Sequence, residues 1–291
     1  MAPAPSIPVA LVECPRDAMQ GLDRLVPAGE KIRYLQALLG VGFDTLDCGS
    51  FVSHRLIPQM ADTAEVLSGL ERSGSSTKIL TIVANRTGME QAVAHPAVDC
   101  LGYPFSVSET FQRRNTHRGI AEALRDVEDL LSICREAGKE AVIYISMAFG
   151  NPYGDPYDET LVSGWVGQLV GLGAATISLA DTVGVAEPAA ISRLFGSLIP
   201  LFPQTRFGAH FHSDSRGWLD RIRAADAEGC SRFDSALLGF GGCPMAADHL
   251  VGNIATENLV EYFESSHRET GLNREAFLRA QKIATEIFRE T

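Results

Sequence analysis

Short β-rich apolar runs alternate with longer stretches of helical periodicity along the whole chain, and this alternation narrows the folds open to it. The runs are "PVALVEC" (8–14), "FDTLDCG" (43–49), "KILTIVA" (78–84), "VDCLGYPF" (98–105), "AVIYISMAF" (141–149), "ATISLAD" (175–181), "RFGAHFH" (206–212) and "FDSALLGF" (233–240). Amphipathic segments lie between them near 28–40, 58–72, 86–95, 118–137, 157–172, 187–199, 214–229 and 248–263, with one more near 273–289. In the segment 118–137, Ile120, Leu124, Val127, Leu131 and Cys134 recur at three- and four-residue steps between charged residues, which describes a helix with one buried face. Strands separated by helical crossovers pair in parallel, and eight such units close on themselves more readily than they form an open sheet. A single (β/α)8 TIM-barrel domain over 1–291 is therefore expected, with the barrel over about 8–265 and an additional C-terminal helix over about 273–289. A doubly wound sheet would need a glycine-rich phosphate turn after an early strand, and "ECPRDAMQG" is not one.

With 45% hydrophobic and 21% charged residues, the 291-residue chain has ordinary globular composition. A net charge of −11 argues against a nucleic-acid partner, because neutralising phosphates takes clustered Lys and Arg. No window approaches the roughly 18 continuous apolar residues of a membrane span, and "MAPAPSIP" has no secretory character. A cytoplasmic protein with a small-molecule substrate, no membrane contact and a homo-oligomeric (dimeric) state is expected. Six scattered cysteines without a CxxC pair suit a reducing compartment.

Active sites of such barrels lie at the carboxyl ends of the strands, and ionisable residues gather there. Strand 1 is expected to end in Arg16 and Asp17, strand 2 in Asp47 with Ser50 after it, and strand 6 in Asp181 and Thr182. Strand 7 ends in His210 and His212, and strand 8 runs into "GFGGCPMA" with Cys243. No comparable set is expected at the amino ends. Residues i and i+2 of a strand face the same way, so His210 and His212 are candidate ligands for one cation. An isolated HxH is equally well read as two residues satisfying a strand end, and nearby carboxylates tip the choice. Asp17 is the best carboxylate partner, and Asn253 offers a neutral oxygen. Two nitrogens and two oxygens suit Mg2+ or Mn2+, with zinc as an alternative.

Arg16 and Asp17 are adjacent, so a regular strand cannot turn both toward the mouth, and Pro15 marks a turn there. Arg16 is then either a surface ion-pairing residue or an electrophile aimed inward. Cys243, in a Gly-Gly-Cys-Pro loop, is the one thiol read as functional. The run "SETFQRRNTHRG" (108–119) is either a solvated helix start or, through Arg113, Arg114 and Asn115, an entrance for an anionic substrate such as one bearing nucleotide phosphates.

Six motifs together, "VECPRDAMQ", "LDCGSFVSHRLIPQMADTAEVL", "SETFQRRN", "SLADTVGV", "HFH" and "GGCPMAADHLVGNIATENLV", resemble the 3-hydroxy-3-methylglutaryl-CoA lyases in order and spacing. The resemblance runs from about residue 8 to 290. It implies retro-Claisen cleavage of 3-hydroxy-3-methylglutaryl-CoA to acetyl-CoA and acetoacetate. Asp17, His210, His212 and Asn253 would hold the divalent cation, and Arg16 would stabilise the thioester enolate. Cys243 would lie on a catalytic loop, and Asp181 would belong to the polar site. The chain departs from the family at Asp47, where Glu is usual, at "HFHSDSRG", which carries one extra residue, and at "RDAMQ" in place of "RDGLQ". A Claisen-type synthase or aldolase on another hydroxy acid, and a barrel that keeps the fold without the activity, are the competing readings.

Overall fold

The computed structural model describes residues 9–213, 217–242 and 251–289. Eight parallel strands close into a barrel in sequence order, β1 (Ala10–Glu13), β2 (Thr45–Phe51), β3 (Lys78–Val83), β4 (Cys100–Ser106), β5 (Glu140–Ser146), β6 (Thr176–Asp181), β7 (Arg206–Phe211) and β8 (Arg232–Ser235). Closure comes from β1 pairing with β8, with Val12 opposite Asp234 and Glu13 opposite Ser235. The helices that follow the strands include α1 (Pro15–Gln20), α2 (Ala28–Leu39), α3 (Thr63–Ser68), α4 (Arg86–Ala94), α5 (Glu109–Thr116) and α6 (Ile120–Ala137). They continue with α7 (Glu159–Gly171), α8 (Pro188–Leu201), α9 (Trp218–Ala227), α10 (Thr256–Ser265) and α11 (Arg274–Arg289). Among the described residues no helix is long and apolar enough to cross a membrane.

Each strand splits its side chains between two environments, as a period of two requires. Outward residues such as Leu101, Ile143, Leu179, Phe211 and Phe233 join the helices in one large buried cluster. Inward residues differ around the ring. Leu80, Ile82, Cys100, Val142 and Tyr144 make an apolar interior on β3–β5, whereas Asp47, His210, Arg232 and Asp234 are buried on β2, β7 and β8.

Three local departures from the expected elements shape the mouth. Strand 1 stops at Glu13, and Arg16 and Asp17 belong to helix α1, not to the strand end. Pro15 begins that helix, where its missing N–H and fixed φ cost nothing. Successive helical residues are turned by roughly 100°, so neighbours reach one cavity that a strand would have kept apart. In β2 the register with β3 shifts between Asp47 and Gly49, so Asp47 pairs with Leu80 and Ser50 with Ile82. A bulge inserts one residue, and two side chains an odd number apart therefore face the same interior. Strand 8 ends at Ser235 and passes into a short 3-10 turn at Leu237–Gly239 rather than continuing to 240.

The amino ends do carry charges, contrary to the expectation from sequence. Arg206 meets Asp44 at 3.3 Å, Lys78 meets Glu140 at 2.5 Å and Arg72 meets Asp99 at 2.7 Å. All six are partly exposed and paired across neighbouring strands or their lead-in loops.

Candidate active site

A cavity of about 210 Å³ opens at the carboxyl ends of the strands, lined among others by Arg16, Asp17, Gln20, Ser50, Tyr144, Asn115, Thr182, His210 and His212. Ligand atoms of Asp17, His210 and His212 lie within 4.8 Å of one another, and all three residues are buried. Asn253 is joined to them twice over. Its backbone forms an antiparallel bridge with His212, and its Nδ2 donates to Asp17 Oδ2 at 2.6 Å. The same Nδ2 also donates to the Phe240 carbonyl at 2.9 Å. Gly241 lets this segment pass so close, since a Cβ there would meet Asn253 Nδ2 at 2.4 Å and the Asp17 carbonyl oxygen at 2.8 Å, and its φ of +113° disfavours any other residue.

Arg16 is held from two sides. Its Nε and Nη2 donate to Asp47 Oδ2 at 3.0 and 2.5 Å, while Nη1 donates to Asp17 Oδ1 at 3.0 Å and to Gln20 Oε1 at 2.9 Å. Gln20 lies one helical turn beyond Arg16 and Asp17, and its Nε2 donates to Asp17 Oδ1 at 2.6 Å. The guanidinium is thereby aimed into the cavity and its charge is locally balanced.

Burial works against ionising Asp17, but Arg16 and the two histidines outweigh it and hold the carboxyl at about 2. Burial dominates at Asp47 and raises its pKa in spite of Arg16. His212 is pushed down to about 4, first by burial and then by His210, so its imidazole is neutral at neutral pH. Its Nδ1 is buried without a hydrogen-bond partner among the described residues. Such an orphaned acceptor or donor costs roughly 1–3 kcal/mol, and a lone pair beside an ionised carboxylate is what a cation would satisfy. The residues present thus fit a divalent metal, with Asp17, His210 and His212 as the core donors and Asn253 Oδ1 as a further oxygen.

Other candidates from the sequence are placed elsewhere. Asp181 is buried on the outward side of β6, and its Oδ1 and Oδ2 accept the Val185 and Ala186 N–H groups at 2.9 Å. It anchors the loop after β6, with Arg221 3.6 Å away, and is not brought to the cavity. The physical reason is strand parity, because Asp181 pairs with outward Phe211 while Ala180 pairs with inward His210. Arg113 is paired with Glu109 at 2.7 Å on an exposed face, and Arg114 stacks over Tyr153 with its guanidinium carbon 4.7 Å from the ring centroid. Of that run Phe111, Asn115, Thr116 and His117 line the cavity, and Arg113 and Arg114 do not. Cys243, and Asp214 in the lengthened segment after His212, lie outside the described residues.

Asp234 and Gln20 were not read from sequence as site residues. Gln20 had a signal, its three- and four-residue spacing from Asp17 and Arg16, which becomes visible once 15–20 is recognised as a helix. Asp234 had only its inward parity on a strand.

Comparison with known proteins agrees with this architecture. The HMGL-like family model matches residues 10–283. The mitochondrial hydroxymethylglutaryl-CoA lyase of Bos taurus is 34% identical over 274 residues, 94% of this chain and 83% of the relative. A 3-hydroxy-3-isohexenylglutaryl-CoA/hydroxymethylglutaryl-CoA lyase of Pseudomonas aeruginosa is 32% identical over 94% of this chain and 90% of its own length. The crystal structure of the HMG-CoA lyase from Brucella melitensis superposes with a TM-score of 0.90 at 29% identity, covering 98% of this chain and all of that one. On its sequence, its closed barrel and the residues gathered at the barrel mouth, the chain belongs to the HMGL-like family.

Proposed function

We propose that this chain is a divalent-cation-dependent carbon–carbon lyase that cleaves 3-hydroxy-3-methylglutaryl-CoA to acetyl-CoA and acetoacetate. The observation that carries the reading is the Asp17, His210 and His212 cluster placed beside Arg16 in one cavity. The O/N donor set without thiolate favours Mg2+ or Mn2+. When bound, the cation supplies Lewis-acid stabilisation of oxygen charge on the substrate.

Cleavage breaks the C2–C3 bond after the C3 hydroxyl loses its proton. The electron pair of that bond passes to the thioester as an enolate, the C3 oxygen becomes the ketone of acetoacetate, and C2 takes a proton to give acetyl-CoA. Arg16 is positioned for the enolate oxygen, because Asp47, Asp17 and Gln20 fix its guanidinium before substrate arrives. Of the two carboxylates on Arg16, Asp47 is the stronger base, since burial raises its pKa while Asp17 is held at about 2. Asn115, Thr116 and His117 line the cavity, which supports reading the end of α5 as the entrance for the CoA thioester. Cys243 is assigned to delivery of the final proton on motif position alone.

The test is incubation of purified protein with the thioester in chelator, in Mg2+ and in Mn2+, with products identified by mass. Acetyl-CoA and acetoacetate are expected in equal amounts with either metal and not in chelator. Intact thioester in the metal-loaded sample would overturn the substrate assignment.

A further inference from the structure

Below the cavity floor the barrel interior contains a buried charge pair. Arg232 and Asp234, two apart on β8, are 2% exposed each, and Arg232 Nη1 donates to Asp234 Oδ1 at 2.7 Å. The other carboxylate oxygen, Oδ2, lies 3.2 Å from His210 Nδ1. Arg232 Nη2 also donates to the Tyr144 hydroxyl at 3.3 Å, and the Tyr144 ring stands edge-on to the His210 imidazole with centroids 5.7 Å apart. Gly208, beside Arg232 on β7, leaves the guanidinium its space, since a Cβ there would meet Nη1 at 3.0 Å and the Ser178 hydroxyl at 3.1 Å.

A histidine offers a cation one ring nitrogen, and the partner of the other nitrogen decides which one and at what ring angle. His210 Nδ1 is engaged downward by Asp234, which leaves Nε2 for the cavity. Asp234 is itself fixed through its second oxygen by a guanidinium that cannot lose its charge. We infer that Asp234, oriented by Arg232, is a positioning residue that sets the ring orientation of His210 and with it the affinity of the site for its cation. This rests on the metal reading above. The competing arrangement is also visible: ligand atoms of Cys14, His210 and Asp234 lie within 4.8 Å of one another, so that Asp234 would be a ligand and not a support.

The experiment is titration of the metal-free full chain with Mn2+, followed by electron paramagnetic resonance of free Mn2+, alongside thermal unfolding. Asp234→Asn leaves Arg232 buried without its counter-charge, so the double variant Arg232→Gln/Asp234→Asn, which removes both charges together, guards against simple misfolding. Either variant is expected to bind Mn2+ about 10–100-fold more weakly, the double one with its melting transition preserved. Cys14→Ser is expected to bind Mn2+ as the unaltered chain does. Unchanged Mn2+ affinity in the well-folded double variant would overturn the inference, as would a loss in Cys14→Ser equal to that in Asp234→Asn. Asp17→Asn and His212→Ala separate the two readings: if they too bind Mn2+ normally, the metal site itself has been misassigned, whereas weakened binding in these two alone removes only the role of Asp234.

Discussion

The two mouths of the barrel both carry oppositely charged side chains, yet they use them differently. At the amino end, Arg206 with Asp44, Lys78 with Glu140 and Arg72 with Asp99 make pairs open to water. At the carboxyl end, Arg16, Asp17 and Asp47 are packed against two histidines and an asparagine, all nearly removed from solvent. Exposed pairs are worth about 0–1 kcal/mol each, whereas breaking a buried pair by removing one partner costs about 3–5 kcal/mol. Charge composition alone does not mark the reactive end; desolvation does.

The sharpest test of this contrast is Asp17→Asn. It is expected to lower turnover of the thioester by at least 100-fold and to weaken Mn2+ binding, while Asp44→Asn at the opposite mouth leaves both within a factor of about two. Steady-state kinetics with metal titration reads both variants. Next in size is Arg16→Met, which strands Asp47 and is expected to cost about 3–5 kcal/mol in urea unfolding. Arg16→Met/Asp47→Leu should regain most of that stability and none of the activity, which separates the structural role of the pair from its chemical one.

Glu13 sharpens the comparison through pH. Burial raises its carboxyl from 4.5 to about 8, although it accepts hydrogen bonds from the Thr256 hydroxyl and the Leu237 N–H. The folded chain therefore keeps a proton there that the unfolded chain releases above its ordinary value. Stability from Glu13 is fully present below pH 4.5 and is lost as pH rises through about 8. Glu13→Gln, which keeps a carbonyl oxygen for the Leu237 N–H, should flatten that slope in unfolding curves measured between pH 5 and 8. The smallest effect is expected for Lys78→Met, within about 1 kcal/mol and vanishing in high salt.

Much of the barrel is legible in the sequence because each strand is a short apolar run bounded by helical periodicity, as in "ATISLAD" between α7 and α8. What escapes is local geometry that overrides the period. Helix α1 is six residues long and hidden behind a proline, and the β2 bulge that turns both Asp47 and Ser50 inward is marked in "LDCGS" by a single glycine, Gly49. Asp181 shows the converse, a carboxylate at the right end of the right strand but on the wrong face. The histidine pair is legible from i, i+2 spacing, but its closure is not: Asn253 reaches Asp17 across 236 positions of sequence. No periodicity reports a contact of that range.

Gly208 and Arg232 share one region of the barrel interior, where a Cβ at 208 would press on the Arg232 side chain at 3.0 Å and the arginine would have to give way. Their evolutionary histories should therefore be linked. Among related chains, a residue larger than glycine at 208 should appear mostly where 232 has given up its long side chain, so the two positions are expected to vary together although neither lines the cavity.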